Sequence, residues 1–198
     1  MLSNLYKKNK SLLLLLLILL LLYFSPSLPT SELLSLKLSN SFIDFLQQFW
    51  RIFTGHLVHA SWQHLALNII NLILLRLVFT QWTSDKRFIV FLLFSATFIS
   101  IGLWLTSSLS YYLGFSGIFY ALAIYLLLIY WHQSKLLFSA AIILIISKIA
   151  YEKLLGSSTA LSEFIQINIA IDAHILGALA GSIFWVLEKK LNRQKIRH

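Results

Sequence analysis

The chain of 198 residues contains no cysteine, two prolines and seven acidic residues, and charged residues of both signs make up only 12% of it. The missing cysteines exclude disulfides and thiolate metal sites. Charge this sparse excludes an ordinary soluble domain, in which about a quarter of residues are charged. Both prolines fall in "SPSLPTS" (25–31), which opens the longest connection in the chain.

What remains is apolar: 59% of residues are hydrophobic. The apolar stretches run roughly over Leu12–Phe24, Trp62–Thr80, Phe88–Leu105, Gly114–Trp131, Leu136–Ala150 and Asn168–Leu187. Several approach the ~20 residues that cross a bilayer, so six spans are expected. The first follows Lys7, Lys8 and Lys10 and has signal-peptide length, but no A-x-A-like site follows it, and it is expected to stay. No linker, second domain or strong repeat is visible. The expected organisation is therefore one membrane domain over 1–198, with a basic segment at 1–10, a long outer loop at 25–61 and a basic tail at 188–198.

The net charge of +9 is placed unevenly. Lys7, Lys8, Lys10, Lys86, Arg87, Lys135, Lys189, Lys190, Arg193, Lys195 and Arg197 precede span 1 or follow spans 2, 4 and 6. The other side holds Lys37, Arg51 and Lys153 beside Glu32, Asp44, Glu152 and Glu163. By the positive-inside rule both termini are cytoplasmic, as in a multi-pass cell (inner) membrane protein. The basic tail reads as an orientation signal, and no nucleic-acid partner is expected. Arg76 and Lys148 lie inside apolar stretches, and Lys148 has no evident role. In the outer loop, Phe42, Phe45, Phe49 and Phe53 recur at helical spacing beside Leu46 and Trp50, opposite Asp44, Gln47, Gln48 and Arg51. That pattern predicts an amphipathic helix lying in the outer interface.

Polar residues inside spans are costly and mark candidate sites. In "GHLVHASWQHLALN" (55–68), His64 and Asn68 share a helix face. In "LGFSGIFYAL" (113–122), Ser116 opens span 4 between Gly114 and Gly117, where the first backbone N–H groups lack intrahelical partners; Tyr120 lies one turn below. In "DAHILGALAG" (172–181), His174, Gly177 and Gly181 share a face, and the two glycines form a G-x-x-x-G contact motif. Each cluster alone could be packing. With both termini inside, however, spans 2, 4 and 6 run the same way, and at ~1.5 Å per residue His64, Asn68, Ser116 and His174 reach one depth near the outer leaflet. His56, His59 and His64 could suggest zinc, but no H-E-x-x-H and no carboxylate ligand accompany them, so no metal or other cofactor is expected. Asp172, two residues from His174, points elsewhere and reads as a solvated interfacial charge.

A serine, a histidine and nearby donors suit acyl transfer. An imidazole of ordinary pKa can take the proton from Ser116, while His64, Asn68 and the Ser116 N–H could receive a developing oxyanion. Glycines beside Ser116 allow span 6 and a substrate backbone to come close.

Together, W50-R51-x-x-T54, H59, H64-x-x-x-N68, G114-x-S116-G117 with Tyr120, and A173-H174-x-x-G177-x-x-x-G181 resemble the rhomboid intramembrane serine proteases, in family order over residues 50–181. The resemblance implies an all-α six-transmembrane-helix bundle with an interfacial helical loop between spans 1 and 2. It implies a Ser116–His174 dyad, an oxyanion site from His64, Asn68 and the Ser116 amide, and Tyr120 packed on His174. Arg51 and His59 would order the loop. The implied partners are the lipid bilayer and a membrane-anchored protein substrate, cleaved near the outer face; nothing in the resemblance sets an oligomeric state. The compact length, "GHLVHASWQHLALN" and "AHILGALAG" are more specifically similar to rhombosortase, the bacterial branch associated with a C-terminal Gly-Gly sorting tail, although Tyr120 and Ala121 follow the general rhomboid pattern. Two other classes fit less well. An inactive client-binding relative would typically lack the serine or histidine, and a coupled transporter would carry more charge in spans 3 and 5.

Overall fold

The computed structural model describes residues 10–24, 35–37, 42–79 and 85–195. The basic residues before Lys10, most of 25–41, the side chains of Phe42 and Phe45, and the end of the basic tail lie outside the described residues.

The architecture is helical. In chain order it comprises α1 (Lys10–Phe24), a two-residue strand β1 (Leu36–Lys37), the short helices α2 (Phe42–Gln47) and α3 (Arg51–Thr54), α4 (Trp62–Val78) and α5 (Asp85–Thr106). There follow β2 (Tyr111–Tyr112), α6 (Ser116–Tyr130) with a 3-10 turn at Trp131–Gln133, α7 (Lys135–Leu155), α8 (Thr159–Ile165) and α9 (Ile171–Lys195). Among the described residues three helical segments are long and apolar enough to cross a membrane: Lys86–Thr106, Ser116–Gln133 and Ile171–Asn192. Lys10–Phe24 and Trp62–Val78 are shorter apolar helices.

At the centre stands α6, whose residues Ala121–Leu127 are buried throughout. A helix apolar on every side must be enclosed by others, and α5, α7 and α9 supply the walls. The closest wall is α9. At Gly177 a Cβ would overlap the carbonyl oxygen of Gly117, and at Gly181 that of Ala121. Two glycines four apart thus remove one ridge from α9 and let the backbones touch. Aromatic rings fill the other end of the bundle, where Phe91 stacks on Tyr125 at 4.8 Å and Phe184 meets both edge-on at 5.1 and 5.2 Å.

Two expectations for the outer loop need correction. The stripe from Phe42 to Phe53 is not one helix: it breaks into α2, a turn at Gln48–Trp50 and α3. Arg51, placed on the solvent-facing side by periodicity, is 6% exposed, and its guanidinium donates to the Ser35 carbonyl at 2.8 Å. The break lets Arg51 turn inward to satisfy a buried backbone acceptor, a demand that a continuous interfacial helix would leave unmet. The same carbonyl precedes β1, which pairs antiparallel with β2 (Leu36 with Tyr112, Lys37 with Tyr111). This small ladder holds the loop before α2 against the segment that leads into α6.

Candidate active site

The segment into α6 is built to present Ser116. Gly114 has φ 113°, in the left-handed region that only a residue without Cβ adopts freely. A side chain there would also strike His64, whose Cε1 lies 2.5 Å from the Cβ position. Gly114 donates its N–H to Gly55 O at 3.0 Å and accepts the Tyr112 hydroxyl at 2.7 Å. The Tyr112 ring is buried and meets His56 edge-on, 5.1 Å between centroids. His56 Nε2 in turn lies 3.1 Å from Ser100 Oγ and 3.3 Å from Ala96 O on α5. Ser100 Oγ donates to Ile52 O, so the imidazole N–H is the donor to that hydroxyl. A column of buried polar contacts therefore runs from α5 through His56 and Tyr112 to the turn before Ser116.

His174 occupies the first turn of α9, with Nε2 3.1 Å from Ser116 Oγ. The Tyr120 ring lies 4.3 Å from the His174 ring at an interplanar angle of 31°. Across the cavity His64 packs over Gly114 and meets His59 edge-on at 4.9 Å. Asn68 is buried one turn further along α4, and its amide donates to the His64 carbonyl at 3.0 Å. That i−4 bond occupies one of its two N–H groups. Ser61 accepts the His64 N–H as the cap of α4 and donates to Ile165 O at 2.7 Å. One hydroxyl thus starts the helix that carries His64 and Asn68 and ties α8 across it.

His64, Asn68, Ser116, Tyr120 and His174 all line one cavity of about 920 Å³, bordered by 108–113 and 161–170. Gly114, Gly117, Gly177 and Gly181 stand behind it as backbone contacts. Among the described residues no group of three or more His, Asp and Glu side chains could hold a metal ion: His56 faces α5, and His59 meets His64 edge-on. Burial keeps both loop histidines neutral, lowering His56 to about 4 and His59, with a smaller push from the His64 charge, to about 3.

Two residues that sequence reasoning did not place at the site are there. Lys148 and Glu152, a turn apart on α7, form an ion pair of 2.7 Å. Lys148 also donates to the Tyr120 hydroxyl at 2.9 Å and lines the cavity. Glu152, read as an outer-side charge, is 6% exposed, with Oε2 3.7 Å from His174 Nδ1. Only the i, i+4 spacing of a lysine and a glutamate in an apolar stretch hinted at an ion pair. Asp172 does point elsewhere, to Lys153 at 2.6 Å.

Residues 46–190 match the family model described as "Rhomboid domain". Over 150 residues the chain is 27% identical to the Bacillus subtilis (strain 168) protein named "Putative rhomboid protease YdcA", covering 74% of this chain and 71% of that one.

Proposed function

The chain belongs to the rhomboid family, and from that premise we propose that it is an intramembrane serine endopeptidase acting through Ser116 and His174. The observation that carries the reading is the 3.1 Å contact between His174 Nε2 and Ser116 Oγ inside a cavity large enough to take an extended peptide segment. Neutral His174 accepts the Ser116 proton as Oγ attacks the scissile carbonyl carbon, then returns it to the leaving amine. Hydrolysis of the acyl-enzyme reverses the roles, with water in place of serine. The oxyanion is received by the Ser116 N–H, free at the helix start, with the His64 ring and the second N–H of Asn68. Tyr120 holds the imidazole plane.

The full chain is a single membrane domain over 1–198, crossing a bacterial-type inner membrane six times with both termini in the cytoplasm. The two short helices α1 and α4 cross with help from flanking residues, a modest mismatch that a bilayer accommodates by local thinning. The outer-side site receives a membrane-anchored protein. As a rhombosortase it would remove a C-terminal tail made of a Gly-Gly motif, an apolar helix and a basic end. Glycine weakens a helix by ~1 kcal/mol relative to alanine, so such a segment unwinds readily, and it offers no side chain to clash beside Gly114 and Gly117.

The deciding experiment is labelling by a fluorophosphonate probe, in which the Oγ–P bond forms, P–F breaks and His174 takes the proton. Wild-type protein should label and Ser116→Ala should not; labelling that survives the substitution overturns the assignment. A secreted reporter with the Gly-Gly tail, beside one with both glycines replaced by leucine, tests the tail. Equal release of both removes the sorting role and leaves a general rhomboid protease.

A further inference from the structure

The Ser116–His174 contact leaves the far side of the imidazole to be explained. For Nε2 to accept the serine proton, the ring must carry its own proton on Nδ1, and the partner of Nδ1 fixes that tautomer. His174 Nδ1 is buried with no hydrogen bond, and so is Glu152 Oε2. The two atoms face each other at 3.7 Å, just beyond hydrogen-bond range. Two orphaned buried atoms, one a donor in the required tautomer and the other an acceptor, are an interaction waiting for a shift of less than about 1 Å. The other carboxylate oxygen is already held, because Lys148 binds Oε1 at 2.7 Å. Lys148 also grips the hydroxyl of Tyr120, whose ring lies against His174. Lys148 thus joins both supports of the imidazole, one through a carboxylate and one through a phenol.

We propose that Glu152 is a positioning residue that completes a Ser116–His174–Glu152 triad. When substrate fills the cavity and α7 moves toward α9, Oε2 accepts the Nδ1–H of His174, holds Nε2 toward Ser116 and stabilises the imidazolium formed as Oγ attacks. The proton lost by Ser116 rests on Nε2, and the Nδ1 proton stays on the ring. This inference rests on the reading of Ser116 and His174 as the reacting pair.

The test is the rate of fluorophosphonate labelling of the purified full chain from pH 5 to 9, with thermal unfolding measured alongside. The charged and titratable groups around His174 are His64 from α4, Tyr120 from α6 and Lys148 and Glu152 from α7; Asp172, on α9 itself, is paired to Lys153. Of these Glu152 is the anion with an oxygen, Oε2, left open toward the imidazole. Glu152→Gln should lower the plateau rate at least tenfold. Its acid limb should also move to lower pH, since removing the anion and leaving Lys148 uncompensated both favour neutral imidazole. A purely structural glutamate would change the unfolding temperature and leave the plateau rate of the folded protein in place. Lys148→Met, which keeps the carboxylate but frees it, should slow labelling less and hold the limb nearer to wild type than Glu152→Gln does. If Glu152→Gln does not fold, Glu152→Asp decides: it should label more slowly because the charge is drawn back, and a wild-type rate would overturn the proposal. A wild-type plateau and limb in Glu152→Gln would overturn it too. If Ser116→Ala still labels, the reading of the reacting pair has failed. If Ser116→Ala is silent and Glu152→Gln behaves as wild type, only the triad has failed.

Discussion

Glu152 and Glu188 stand toward opposite ends of the α6–α9 pair, each beside a cation and an aromatic or imidazole partner, yet they are used differently. Glu188 is closed: Oε1 pairs with Arg87 at 2.7 Å and Oε2 accepts the Tyr125 hydroxyl at 2.8 Å. Glu152 is half open, with Oε1 on Lys148 and Oε2 without a hydrogen bond. A carboxylate with both oxygens filled ties helices together. One that keeps a buried oxygen empty carries a cost of ~1–3 kcal/mol, which a working site can recover when a partner arrives. The difference separates the end that holds the bundle from the end proposed to act.

The sharpest way to break that division is at the proposed reacting pair. Ser116→Ala and His174→Ala should each reduce cleavage of a co-expressed substrate to the level of empty membranes, with the protein still folded. The double variant should be no worse, since the two act as a unit. Cleavage by either single variant above background would place the chemistry elsewhere. Next comes Asn68→Ala. Loss of one oxyanion donor costs ~10²–10³ in rate, so weak but measurable turnover is expected, and a wild-type rate with normal expression removes Asn68 from the site. Gly177→Ala tests how the two ends communicate. The added methyl overlaps the Gly117 carbonyl and must push α9 from α6; a misplacement of ~1 Å costs up to ~10² in rate, so kcat should fall while membrane levels stay measurable. An unchanged kcat would mean that the contact does not set the geometry.

At the quiet end, Glu188→Gln should leave cleavage within about twofold and lower stability by ~1 kcal/mol, as suits a partly exposed ion pair with one added hydrogen bond. A large loss of activity with little loss of stability would erase the contrast. The smallest effect concerns acid. His56 and His59 are held neutral, to about 4 and about 3, whereas an unfolded chain protonates them near 6.5. The unfolded state therefore binds protons first, so their contribution is whole above about pH 6.5 and is lost progressively as pH falls, to about 4 for His56 and about 3 for His59. Detergent-solubilised protein should melt a few degrees lower at pH 5 than at pH 7.5. Equal melting temperatures would show that these rings are not buried in neutral form.

Much of this was legible in the residues. The scarcity of charge announced the membrane, and G-x-x-x-G announced a close helix contact, because both act through composition or local spacing. Ser116 and His174, chosen for their helix positions, do come within hydrogen-bond distance. What could not be read was tertiary. Glu152 resembles any charge near a helix end until α7 is seen to turn that face toward α9. Arg51 obeys the amphipathic period until a distant carbonyl at Ser35 claims it. The β1–β2 ladder is two residues long, too short for any alternation to show. Asn68 had the right face, but nothing in the sequence says that half of its amide is spent on its own helix.

The glycine contact also bears on how the protein responds to its lipid environment. Bilayers of different thickness tilt individual helices by different amounts, and a site divided between two freely tilting helices would change its dimensions with each membrane it met. With Gly177 and Gly181 set against the backbone at Gly117 and Ala121, α6 and α9 lean as one piece. The separation between Ser116 and His174 then depends on chain geometry alone, and in the proposed mechanism growth temperature or acyl-chain length would change how fast a client diffuses in without altering the distance over which the proton moves.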